Sequence, residues 1–244
     1  VSDSDLWMFI SSNGGLTAGR KNPEFALFPY YTDDKITGSA DITGSKTLFQ
    51  VTRGDETMIW EPFSERFTGK YTISRNLWKS AYGNKILFEE INHDLELTFR
   101  VQWNPSKRFG FVKKAILINH SGNDCTVILL DGIQNIMPFG VPSGLQATTS
   151  NLVDAYKRSE LETTSGLGIY ALSAIISDKA EPAEALKANI AWSVGLDRPI
   201  RLLSSLQIDL FRQNLPISGE TDIKGEKGAY FVSTSLLLPA HGEK

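Results

Sequence analysis

The stretch Lys113 to Gly140, KKAILINHSGNDCTVILLDGIQNIMPFG, constrains this chain more than any other. Its first apolar run, Ala115-Ile116-Leu117-Ile118, is followed by the turn formers Asn119, Ser121, Gly122, Asn123 and Asp124, and then by the β-branched and aliphatic run Thr126 to Leu130. Branched side chains fit a pleated surface, and Asn, Gly and Asp accept the backbone angles of a tight turn. A hairpin of two core strands is the expected structure.

Alternation with period two recurs along the chain. Leu95, Leu97, Phe99, Val101 and Trp103 fall on one side of an extended segment, with Glu96, Thr98, Arg100 and Gln102 on the other. That pattern belongs to an antiparallel sheet with one face in water. Leu186, Ala188, Ile190, Trp192 and Val194 repeat it. Three strands are predicted between Tyr71 and Trp103, turning at Tyr82-Gly83-Asn84 and Asn92-His93-Asp94. Further strands are predicted near Leu6 to Ile10, Thr47 to Arg53, Met58 to Pro62, Gly166 to Ser173, Pro199 to Ser204 and Ala229 to Leu238. Helical signals are few: Ser150 can cap a helix over Asn151 to Leu161, and Ser205 to Gln213 can form a second one before Pro216. Glu181 to Ile190 has helix-favouring composition, but the alternation through Val194 assigns its second half to a strand. Neither a Pro/Ser/Gly-rich linker nor an internal repeat divides the sequence, so residues 1–244 are expected to form a single all-β domain.

Composition narrows the function classes. A domain of 244 residues buries roughly 70% or more of its unfolded surface and needs no covalent staples. The formal net charge is -3, and none of the 25 basic residues stands in a run longer than two, which argues against a nucleic-acid backbone and for a neutral partner. Cys125 is the lone cysteine, which excludes an intrachain disulfide and a Cys-based metal site; it is expected as a small core residue. No apolar run approaches the ~20 residues of a membrane span, and the N-terminal residues lack a basic region followed by a signal-type apolar stretch. A soluble chain is expected. Because it begins at Val1 and ends just after a strong strand, it is also expected to be a piece of a longer polypeptide.

Candidate chemistry is sparse. His93, His120 and His241 show neither His-x-x-His nor His-Glu-x-x-His spacing, so no zinc site is expected, and no nucleophile elbow, phosphate-binding loop or dinucleotide fingerprint calls for a cofactor. Asp33-Asp34 and Glu89-Glu90 invite a glycosidase reading, in which two carboxylates flank a sugar bond. Neighbours on a strand point to opposite faces, so neither pair can act as a couple, and solvated charge is the expectation for both. Trp7, Trp60, Trp78, Trp103 and Trp192, with Tyr30, Tyr31 and Tyr82, could supply stacking faces for pyranose rings, although core-like alternation leaves one or two of them exposed at most.

Several segments resemble the N-terminal β-supersandwich domain of cellobiose-phosphorylase-like glycoside phosphorylases and hydrolases, a domain related in fold to galactose mutarotase. The residues that carry the likeness are Phe111 to Asp124, with its strand, Asn-x-Ser turn and return strand, and Leu130 to Gly140 after it. Ser150 to Tyr156, Ala180 to Lys187 and Trp192 to Leu196 add to it. The resemblance implies a supersandwich of two large packed antiparallel sheets with a few short helices. In that family a helical linker and an (α/α)6 barrel follow, and the barrel bears the catalytic acid. This sequence shows no such helical array, so no catalytic residue is carried over.

The expectation that follows is a noncatalytic domain of an enzyme acting on β-linked gluco-oligosaccharides, with the barrel of the parent chain as its partner. An oligosaccharide and a second copy of the chain are further candidate partners, and a phosphorylase parent would be cytoplasmic. The alternatives are an independent carbohydrate-binding module and, last, a mutarotase-type aldose epimerase, which needs a histidine acid and a carboxylate base facing one another. If a sugar binds, Trp78, Tyr82 and Trp103 are the candidate stacking residues, with Gln134, Asn135 and Asp154 as polar partners.

Overall fold

The computed structural model describes residues 5–148, 150–175 and 185–244. It is 48% strand and 10% helix, with antiparallel sheets and short helices, so the chain is an all-β protein. The strands are β1 (Leu6–Ile10), β2 (Leu16–Arg20), β3 (Ala26–Phe28), β4 (Gly44–Arg53), β5 (Glu56–Trp60), β6 (Ile73–Lys79), β7 (Ile86–Asn92) and β8 (Leu97–Ser106). They continue with β9 (Gly110–Asn119), β10 (Cys125–Ile136), β11 (Lys157–Glu162), β12 (Leu167–Leu172), β13 (Asn189–Ala191), β14 (Ile200–Leu202), β15 (Asp222–Lys224) and β16 (Gly228–Leu238). Four short helices, α1 (Asp33–Ile36), α2 (Ser143–Thr148), α3 (Ser150–Tyr156) and α4 (Ile208–Arg212), interrupt them. The sheets have the orders β1-β2-β3, β14-β16-β10-β4-β5, β13-β12-β11-β15 and β6-β7-β8-β9.

Contacts divide the chain into two compact units, each assembled from separated segments. The first holds residues 1–6, 47–129 and 235–244, and the second holds 7–46 and 130–234. The chain passes from one to the other within β1, β4, β10 and β16. The core of the first unit is aromatic: Phe49, Trp60, Phe99 and Trp103 are buried, and Phe49 meets Trp60 at 5.3 Å and Phe99 edge-on at 5.0 Å. In the second, Tyr170, Phe231, Leu202 and Leu203 are buried, and the Tyr170 hydroxyl donates to the Ala229 carbonyl at 2.7 Å.

The meander predicted over Tyr71 to Trp103 is present as β6, β7 and β8, and α4 falls within the predicted Ser205 to Gln213. Three expectations are corrected. The runs around Asn119 do not pair as a hairpin: β9 is the edge of the sheet β6-β7-β8-β9, whereas β10 lies inside the five-stranded sheet. Asn119 makes the segment a corner. Its Nδ2 donates to the carbonyls of Asn123 (2.8 Å) and Pro239 (3.0 Å), and its Oδ1 accepts from the amide and hydroxyl of Ser121. The free edge of β9 is taken by the tail, through Leu117 N to Lys244 O at 2.8 Å and Asn119 N to Gly242 O at 2.8 Å.

The helix predicted to reach Leu161 stops at Tyr156, because Lys157 to Glu162 form β11, which pairs with β12 on one side and β15 on the other. Ladder bonds on both edges outweigh a local helical spacing. In the predicted strand from Leu186 to Val194, the part that pairs is β13 alone, and the apolar side of the alternation is outward: Leu186 is 91%, Val194 81% and Trp192 45% exposed. The first residues of Glu181 to Ile190, and of the resembling segment Ala180 to Lys187, lie outside the described residues.

Candidate functional site

The sheet β6-β7-β8-β9 belongs wholly to the first unit and is built by local turns. Between β6 and β7 the Ser80 hydroxyl bonds Asn84 Oδ1 at 2.9 Å and accepts from the Lys85 amide, while Gly83 takes φ +66, which a side chain would resist. Between β7 and β8, Asn92 Oδ1 accepts from the Leu95 amide at 3.0 Å. Between β8 and β9 the Ser106 hydroxyl accepts from the Phe109 amide at 3.2 Å. Both outer turns therefore lie at one end of the sheet. The register is unbroken from Ile73↔Asn92 to Ser106↔Gly110, and it fixes which side chains share a face.

One face points into the core. Leu97, Phe99, Val101 and Trp103 of β8 lie on it, with Phe88 and Glu90 of β7. Glu90 is 2% exposed and accepts from Trp60 Nε1 (2.8 Å), the Phe63 amide (2.7 Å) and Arg75 Nε (2.7 Å). The half-exposed Arg75 also reaches Ser64 O and Glu65. Glu89, one residue earlier, points to the other face, is 4% exposed and accepts from Arg100 Nε (2.6 Å) and Asn76 Nδ2 (2.9 Å). The two carboxylates do face opposite sides, but the expectation of solvated charge fails for this pair, because each is buried against its own arginine. Asp33 and Asp34 open α1, and their side chains lie outside the described ones.

The outward face is the candidate site. Three cross-strand rows cover it: Ser74, Ile91, Thr98 and Ile118; Asn76, Glu89, Arg100 and Ile116; Trp78, Leu87, Gln102 and Lys114. Trp78 is 47% exposed at its edge, and the Arg100 side chain is 40% exposed. With strands about 4.8 Å apart, Trp78 and Lys114 stand roughly 14 Å apart, with an aliphatic and an amide side chain between them. His93 Nε2 bonds the Ser74 hydroxyl and His120 Nε2 the Thr98 hydroxyl, each at 2.8 Å, so both imidazoles flank the first row. The arrangement offers one stacking surface, planar amides and a guanidinium on a rigid pleat, which suits a flat polyhydroxylated ligand.

The sequence-predicted residues divide between the units. Trp78 is on the outward face, and Tyr82, 85% exposed, tips the neighbouring turn. Trp103 is 3% exposed on the inward face and does not join them. Gln134, Asn135 and Asp154 are in the second unit and share no hydrogen bond or ion pair with one another. Gln134 Nε2 donates to Asp41 O at 2.7 Å, and its Oε1 accepts from the Ser205 hydroxyl. Asn135 takes φ +59, a left-handed conformation that Asn tolerates, and donates to Thr43 Oγ1 at 2.9 Å; its buried Oδ1 has no partner. Asp154 accepts from Lys157 Nζ at 2.6 Å; burial pushes the lysine below its usual range, and the Asp154 contact opposes that. Asn76, Arg100, Gln102 and Lys114 were missed. Alternation had already put Arg100 and Gln102 on the wet side of β8, but only the register sets them beside Asn76 and Trp78.

Among the described residues, no group of three or more His, Cys, Asp or Glu could hold a metal ion, and no helix is long and apolar enough to cross a membrane. Cys125 is buried, and that burial, ahead of an opposing effect of Arg53, raises its thiol pKa. No family model matches the chain, and no curated protein sequence matches it.

Proposed function

We propose that this chain is a noncatalytic β domain of a carbohydrate-active enzyme and that it holds an oligosaccharide on the outward face of β6-β7-β8-β9. The observation that carries the reading is the row in which exposed Trp78 lies level with Gln102, next to the row of Asn76 and Arg100. In this reading the sheets belong to a supersandwich of the kind that the resemblance implies, and the bond-breaking groups belong to an (α/α)6 barrel of the parent enzyme. A docking role is supported by the second unit, where Ile190, Trp192 and Val194 leave an apolar edge at β13. Such an edge favours attachment to another body, the barrel or a second copy of the chain, over an independent binding module. The epimerase alternative is disfavoured because Glu89, the carboxylate on the face flanked by His93 and His120, is already held by Arg100 and Asn76.

Titration calorimetry with an oligosaccharide panel that includes cello-oligosaccharides tests the proposal. Binding without turnover is expected, and Trp78→Ala should weaken it about tenfold, the loss of one stacking contact. Sugar turnover by this chain, or undiminished binding by the Trp78→Ala protein, would refute it.

A further inference from the structure

We infer that the oligosaccharide held on this face is acidic, a uronate-bearing glycan whose carboxylates are met by a cationic cap at the hairpin end of the sheet. The inference rests on the sugar-binding reading and names its ligand class. The chain carries a net charge of -3, yet its charge is unevenly placed. From Arg66 to Phe88 there are five Lys or Arg residues and no Asp or Glu, and the same is true from Leu97 to Asn123. These two segments supply β6, the start of β7, β8 and β9, so the fold brings both acid-free segments into one sheet.

The register then sorts the charges by end. The Ser80 to Lys85 and Lys107 to Phe109 turns lie together, and Lys85, Lys107, Arg108 and Lys114 gather around them, whereas Lys79 and Lys113 share the row of Trp103 and belong to the other face. Asp94, Glu96 and Asp124 occupy the opposite end, in the β7 to β8 turn and beyond β9. Each of the two cationic tips also presents an exposed aromatic ring: Tyr82 in one, and Phe109 in the other with the Arg108 guanidinium 5.2 Å from its centre. Lys114 joins this cap directly to the candidate site, because it closes the row that begins at Trp78. Arg100 spends its Nε on Glu89, and no hydrogen bond holds its two Nη groups, which leaves that edge of a half-exposed guanidinium for a carboxylate two oxygens wide. A neutral glucan would leave such a field unused, whereas a chain of sugar carboxylates would neutralise it.

The test compares hexagalacturonate with cellohexaose by calorimetry at about 50 mM and about 300 mM salt, a range over which screening of exposed charges grows severe. The uronate should bind at least about tenfold tighter at low salt and lose most of that advantage at high salt. K85E/R108E, both at exposed turn positions outside the three rows of the candidate face, should reduce uronate binding more than about tenfold while leaving cellohexaose binding within about twofold. K85Q/R108Q should bind the uronate with an affinity between those of the parent protein and K85E/R108E, which guards against a folding artefact of charge reversal. Equal, salt-independent binding of both sugars would overturn the acidic ligand and keep the sugar site. Binding of neither would overturn the sugar reading itself. Tighter, salt-sensitive binding of a single-stranded oligonucleotide or of phosphatidylserine vesicles than of the uronate would overturn the glycan as the occupant of the cap.

Discussion

Replacing Glu90 with alanine should destabilise the first unit by about 2 to 5 kcal/mol, and replacing Glu89 by only about 1 to 2 kcal/mol, although the residues are adjacent and both buried. The difference lies in what each leaves behind. Without Glu90, the Nε1 of Trp60, an indole 1% exposed, has no acceptor, and a buried donor stranded in this way costs about 1 to 3 kcal/mol. The Phe63 amide loses its 2.7 Å acceptor as well, for about 1 kcal/mol more. Arg75 adds little, about 1 kcal/mol or less, because its half-exposed guanidinium keeps Ser64 and Glu65 and can turn to water. Glu89 strands only Asn76 and Arg100, both of which reach solvent. Glu90→Gln, which retains one acceptor oxygen, should cost about half as much as the alanine. Urea unfolding followed by the fluorescence of buried Trp60 and Trp103 measures the change. A Trp60→Phe background, which removes the stranded donor, should recover about 1 kcal/mol of the Glu90→Ala loss. If Glu90→Ala proves no more harmful than Glu89→Ala, burial of the partner is not what sets the penalty, and the reasoning fails.

Asn119→Ala should cost about 2 to 4 kcal/mol by stripping the corner of its acceptor and donor, and should speed hydrogen exchange at Leu117 and Lys244 before that of β7 and β8; uniform exchange across the sheet would contradict the corner role. The Glu162 carboxyl is lowered to about 2 by the hydroxyl and amide of Ser165 and then the amide of Thr164. Its ionised form therefore holds the β11 to β12 turn fully above the ordinary carboxylate range and releases it as pH falls toward 2, so the Ser165 amide resonance should titrate with a midpoint near 2. A midpoint in the ordinary range, near 4, would refute the assignment. Gly132→Ala should disable the second unit, since the added Cβ would fall onto the backbone carbonyl of Tyr230; a thermal midpoint within about 2 °C of the parent protein would show that the strands can part.

Much of the first unit was legible in the residues. The alternation from Leu95 to Trp103 identified β8 and its buried side, and the polar triplets Tyr82-Gly83-Asn84 and Asn92-His93-Asp94 marked the turns on either side of β7. These signals are local, because a pleat has a period of two and a turn needs particular angles. The candidate site was legible only in fragments. Trp78 and Trp103 read alike as aromatics in strands, yet the pairing Trp78↔Leu87↔Gln102 and Ile86↔Trp103 sets them on opposite faces. Net charge hid the cationic cap because the carboxylates that balance it lie elsewhere in the chain.

The sequence by itself determined that this protein is made of short extended segments with polar turns, since residue type and spacing act over a few neighbours. The tertiary structure alone decided that β10 leaves β9 for another sheet, that Glu89 and Glu90 are buried with separate arginines, and that two acid-free segments meet in one sheet. Those outcomes depend on which strand pairs with which and in what register. Within a hairpin the turn fixes the register, but which non-neighbouring strands share a sheet is chosen by contacts between residues far apart in the chain.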